Sequence, residues 1–121
     1  MGLVNGSYTD TTIVSYLREG KLANQRTMME IDGGMLISNG RKLVIPAMLE
    51  LDGELVPVYL VDMEDWGWKG DHRRSEAHAE HLRDVIRGYL NWERLPIEAI
   101  TVNGNAYHAY LPEGVTNDAA Q

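Results

Sequence analysis

Ile45-Pro46-Ala47-Met48-Leu49-Glu50-Leu51-Asp52-Gly53-Glu54-Leu55-Val56-Pro57-Val58-Tyr59-Leu60 is the stretch whose reading decides the fold. Asp-Gly supplies the positive φ that a two-residue hairpin turn requires. With Asp52-Gly53 at the tip, Leu51 pairs with Glu54, Leu49 with Val56, Ala47 with Val58 and Ile45 with Leu60. These side chains share one nearly apolar face, expected to be core, while Pro46, Met48, Glu50, Leu55, Pro57 and Tyr59 share a mixed face. Both prolines then fall at non-hydrogen-bonded pairs, so their nitrogens point away from the hairpin. Neither breaks it, but each interrupts any ladder on its outer side.

Working outward, residues 26–63 read as an antiparallel meander with further turns at Asp32-Gly33-Gly34 and Asn39-Gly40. Two-residue turns at both Asn39-Gly40 and Asp52-Gly53 ask Leu43 to bond in opposite directions, which a regular strand cannot do. A bulge or a longer turn is therefore expected between residues 38 and 46. Upstream, Thr9 or Asp10 caps a short helix over Thr11–Glu19, with Gly20 as its stop. Downstream, residues 72–92 carry Leu82, Val85, Ile86, Tyr89, Leu90 and Trp92 at helical spacing, capped by Asp71 or Ser75 and stopped by Pro96. Leu82, Ile86 and Leu90 are expected on the sheet. Residues 97–102 and 105–111 form a last hairpin around Asn103-Gly104. The expected class is α+β: a meander of about four strands plus a C-terminal hairpin, packed on one long helix, with a short N-terminal helix. Residues 1–111 read as one domain and 112–121 as a frayed tail.

The 121 residues carry a net charge of −7, distributed as −5 over residues 1–68, +1 over 69–94 and −3 over 95–121. This disfavours non-specific binding to nucleic-acid backbone, which needs clustered cations. With no cysteine, thiol nucleophiles and disulfide scaffolds are excluded. Apolar runs are too short to span a membrane, so a soluble, cytoplasmic protein is expected.

Two constellations could carry chemistry. Trp66-Gly67-Trp68-Lys69-Gly70-Asp71-His72-Arg73-Arg74 interleaves tryptophan with cations just before a helix N-terminus. Tryptophan and arginine are enriched at binding hot spots, and helix N-terminal amides attract anions. Trp66, Trp68, Lys69, His72, Arg73 and Arg74 are therefore the candidate partner- or ligand-binding residues. The competing reading makes the tryptophans plugs between sheet and helix. His72, His78 and His81 are candidate metal ligands, but the last two are three apart and His78 lies on the apolar helix face, which suits a core-edge histidine. A calcium loop at residues 62–73, a phosphate loop and a nucleophile elbow all fail on spacing.

No catalytic set and no cofactor is expected. The leading expectation is a non-enzymatic, self-associating protein acting through contact with another protein, of the kind used as a bacterial or bacteriophage accessory or inhibitor. The rivals are an anion- or nucleotide-binding module on residues 66–74 and a metal-dependent hydrolase on His72, His78 and His81.

Overall fold

The computed structural model describes residues 8–24, 28–62 and 73–112. The order is α1 (Tyr8–Glu19), β1 (Met29–Asp32), β2 (Met35–Ser38), β3 (Arg41–Leu51), β4 (Glu54–Asp62), α2 (Arg73–Tyr89), β5 (Glu93–Arg94), β6 (Ile100–Val102) and β7 (Asn105–Leu111). The fold is α+β and its sheet is antiparallel throughout. The balance differs from the expectation of a four-stranded meander with a separate hairpin on one long helix. Among the described residues a single seven-stranded sheet dominates, in the order β1-β2-β3-β4-β7-β5, with β6 also on β7. Two helices, rather than one, build the layer beside it, packed on each other as well as on the sheet.

Turn chemistry sets the strand ends. Asn39-Gly40, Asp52-Gly53 and Asn103-Gly104 all have both residues at positive φ, as does Gly33-Gly34. That is the signature of the turn whose twist matches paired strands. The β3–β4 register runs unbroken from Val44↔Val61 to Leu51↔Glu54, with Leu49 opposite Val56 as the Asp52-Gly53 turn dictates. The expected irregularity lies in β3: Ile37 pairs with Lys42 but Leu36 pairs with Val44, leaving Leu43 as the extra residue. The turn alone would have paired Leu36 with Leu43, so the bulge moves that partner by one. Leu43 is fully buried among the residues beneath the helices.

Helix α1 starts at Tyr8, so the expected caps Thr9 and Asp10 lie inside its first turn. Gly20, at φ 76°, stops it, with its N–H donating to the Tyr16 carbonyl at 2.9 Å. Helix α2 is shorter than the 72–92 expected from periodicity. Leu82, Val85, Ile86 and Leu90 are buried as expected, whereas Tyr89 is exposed.

The apolar residues divide between two clusters. Ile13, Leu17, Leu36, Val44, Val61, Leu82 and Ile86 belong to the cluster between helices and sheet. The opposite sheet face carries Val56, Val58, Leu60, Tyr107, Ala109 and Leu111, clustered with Leu95 and with Ile100 and Val102 of β6 packed against them. The face expected to be core is thus buried along β4 at Val56, Val58 and Leu60 and only half-buried along β3 at Ile45, Ala47, Leu49 and Leu51, and the helices do not cover it. They cover the alternate residues, and only along part of the hairpin.

Candidate interaction surface

The helix-covered face includes Tyr59, which stacks on Trp92 with centroids 5.0 Å apart and planes 12° from parallel. Tyr16 tilts against the same ring and donates its O–H to the Gly34 carbonyl at 2.6 Å. Beyond Tyr59 the sheet narrows. β3 pairs with β2 only as far as Val44, and β4 pairs with β7 only from Tyr59. Residues 45–58 are left as a two-stranded ribbon paired only with itself among the described residues.

The prolines explain the narrowing. Pro46 and Pro57 occupy the outward-facing positions next beyond the points where β2 and β7 stop. Neither has an N–H to extend the neighbouring ladder. Extending the β4–β7 register by two residues would set Pro57 against Pro112, so that edge is blocked from both sides. Proline at an edge is a recognised block to strand addition. The ribbon therefore offers faces rather than edges.

Its helix-side face is apolar and open. Met48 is 55% and Leu55 68% exposed. Pro46, Met48, Pro57, Tyr59 and Pro112 line a shallow groove, which continues through Tyr59 and Pro112 to Leu17, Arg18 and Trp92. The tip is acidic, with Glu50, Asp52 and Glu54. On the reverse face Val56 and Val58 are buried while Leu49 and Leu51 are half-buried. A slip of one residue would exchange Val56 with Leu55, so the exposure of Leu55 follows from the register.

At the other end of β3 and β4 lies a buried polar cluster. Arg41 Nε donates to Asp62 Oδ2 at 2.6 Å, and both side chains are almost fully buried. Arg83 donates to the Asp62 carbonyl at 3.2 Å. Ser38 Oγ and His78 Nδ1 are 2.6 Å apart, and Ser75 Oγ donates to the Ser38 carbonyl at 2.6 Å. These bonds fix the last residue of β4 and the first turn of α2. The Ser38–His78 pair resembles a nucleophile–base dyad in spacing, but Ser38 is fully buried and its contacts tie α2 to β2.

Tyr107 spans this end of the sheet, its O–H donating to the Lys42 carbonyl at 3.0 Å. Burial pushes its phenol up to about 12, with the Asp62 charge adding to the rise and Arg41 opposing it. Burial also raises Tyr16 and Tyr110. Groups that are harder to ionise when folded stabilise fully below the ordinary tyrosine pKa near 10. That contribution is lost as pH climbs through the raised value. Stability should thus fall between about pH 10 and 12. Absorbance near 295 nm, which reads tyrosinate, should rise together with loss of near-ultraviolet circular dichroism. Ionisation of the buried phenols well before unfolding would contradict their burial.

Of the candidates read from sequence, Trp66, Trp68, Lys69 and His72 lie outside the described residues. Arg73 and Arg74 are the first two residues of α2. The tail from residue 113 also lies outside. His78 and His81 are drawn to different partners: His78 to Ser38, and His81 to Asp10 of α1 at 2.9 Å. Among the described residues no three histidine or carboxylate groups converge. None of the described helices is long and apolar enough to cross a membrane.

Sequence reasoning missed the open face of the ribbon. The available signal was the pair of outward prolines: two strands that forbid neighbours on both edges must project from the sheet. Family models, curated proteins and solved structures all lack a match to this chain, so its reading rests on the geometry of the ribbon and of the polar cluster at its far end.

Proposed function

We propose that this chain is a non-enzymatic binding protein that works through protein–protein contact, as an accessory or inhibitor does, and that the 45–58 ribbon is its contact arm. The observation that carries the reading is the open face of Met48 and Leu55, on strands whose edges are closed by proline. Exposed apolar groups collected on one face, rimmed by charge, mark interaction sites in soluble proteins. The acidic tip at Glu50, Asp52 and Glu54 favours a partner surface with basic groups at its rim.

A photo-crosslinking amino acid placed at Leu55 tests the reading in the cell of origin. Discrete protein adducts are expected from position 55. None is expected from the same probe at Glu76, which is exposed on α2. Absence of any adduct from position 55, or equal labelling from both positions, would overturn it.

A further inference from the structure

We infer that the corner of the sheet at β5 and β7, beside the last turns of α2, binds a phosphate group, held by the Tyr110 hydroxyl and the Arg94 and Arg87 guanidinium groups.

Strand alternation and register collect the residues. Tyr110 belongs to the helix-side cluster, and His108 lies two residues back on the same face of β7. Arg94 of β5 is paired directly with Tyr110, so it shares that face and is exposed at its border. α2 brings Arg83 and Arg87, one turn apart, to the same side. Arg83 reaches the carbonyl of Asp62, whose register partner is Tyr107. Arg87 lies close enough to Tyr110 for its charge, like that of Arg94, to act on the phenol.

Two independent observations point to an anion. The first is charge. In a chain of net charge −7, three arginines gather here. Arg94 donates from Nη2 to a ring nitrogen, His108 Nδ1 at 2.8 Å. Neither Arg83 nor Arg94 forms an ion pair with a described residue, and Arg87 meets the one carboxylate of the corner, Asp84. The second is the Tyr110 hydroxyl. Tyr110 is 6% exposed, and among the described residues its O–H makes no hydrogen bond. Buried tyrosine hydroxyls are normally hydrogen-bonded. With guanidinium donors on two sides, the group that completes this one is an acceptor of negative charge.

Phosphate fits better than a planar carboxylate, because the donors come from three elements, α2, β5 and β7. The guanidinium fork also matches phosphate oxygens two at a time. The C-terminal end of α2 opposes an anion through the helix dipole, but more weakly than a hydrogen bond from a charged donor favours it.

Titration of the nitrogen-15-labelled full chain with sodium phosphate, at ionic strength held constant with sodium chloride, tests the site. The Arg94 and Arg87 Nε–H resonances should shift along a saturable curve. Methyl phosphate should act at the same resonances, and its affinity relative to the free ion tells a site for phosphate monoesters from one for the ion itself. Tyr110→Phe removes only the hydroxyl. It should weaken phosphate binding by about threefold to tenfold and leave the melting temperature in place. Arg94→Gln should weaken binding by about tenfold or more. Lys42→Gln, a cation at the far side of the sheet, should leave it unchanged.

Shifts that never saturate, or that sodium chloride alone reproduces, overturn the inference. So does an affinity indifferent to both Tyr110→Phe and Arg94→Gln, or reduced as much by Lys42→Gln. Acetate binding as tightly as phosphate would remove the assignment to phosphate. None of these results bears on the contact arm, since no residue of 45–58 takes part in the site.

Discussion

Asp62→Ala should destabilise the domain by about 3–5 kcal/mol, because it breaks a buried ion pair by removing the carboxylate that meets the Arg41 guanidinium. The pair is 2.6 Å apart with side-chain exposures of 2% and 0%, so water cannot replace the lost carboxylate without opening the sheet. A surface pair of the same geometry would contribute at most about 1 kcal/mol. The large effect comes from the burial of the remaining ion. That separates it from any intrinsic strength of the pair. Replacing both partners together, Arg41→Met with Asp62→Leu, should therefore cost much less than Asp62→Ala alone. Urea denaturation of the two variants decides the matter. A single-variant loss below about 1 kcal/mol would mean that water reaches Arg41, contrary to its burial.

The second large effect is expected at Leu82. Its side chain is fully buried between α2, α1 and the sheet, within the cluster that holds Ile13, Val44 and Val61. Leu82→Ala removes three carbon atoms and leaves a cavity bordered by two helices and a sheet, which can only partly collapse. The cost is about 2–5 kcal/mol, toward the upper end where the surroundings stay rigid. Chemical denaturation should show a lower midpoint with an unchanged slope. A loss under half a kilocalorie would mean that α2 does not dock on the sheet as described. The two substitutions probe different halves of the structure: the polar root of β3 and β4, and the apolar contact of the helical layer.

What could be read from sequence was local. Asn39-Gly40, Asp52-Gly53 and Asn103-Gly104 carry their conformation in their own side chains, so turns, and the register next to them, were legible. The conflict at Leu43 was legible for the same reason, since two turns cannot impose opposite phases on one regular strand. Helix α2 announced itself by period, and His78 by its place on the apolar face. The two-residue strand β5 has no propensity signal and exists because β7 offers an edge to Glu93 and Arg94.

The division of the core was not legible. A strand with apolar residues on both faces does not say which face a helix will cover. Pro46, Met48, Leu55 and Pro57 read as a mixed face, and only the lengths of β2 and β7 turn that face into an open surface. On the functional side, sequence drew attention to Trp66, Trp68, Lys69, His72, Arg73 and Arg74. Side-chain placement in the described structure draws it to the part of β3 and β4 next to the Asp52-Gly53 turn. The composition of the ribbon is unremarkable, and its placement beyond both neighbouring strands is what sets it apart.

The contact arm is tested most directly by the methyl resonance of Met48, followed with methionine-labelled protein. Met29, 6% exposed in the helix-side cluster, serves as the internal reference against Met48 at 55%. The Met48 methyl is expected to shift or broaden with rising concentration of the chain, or on addition of unlabelled extract from its own cell, while Met29 stays in place. A Met48 resonance that keeps its shift and width under both conditions would contradict it.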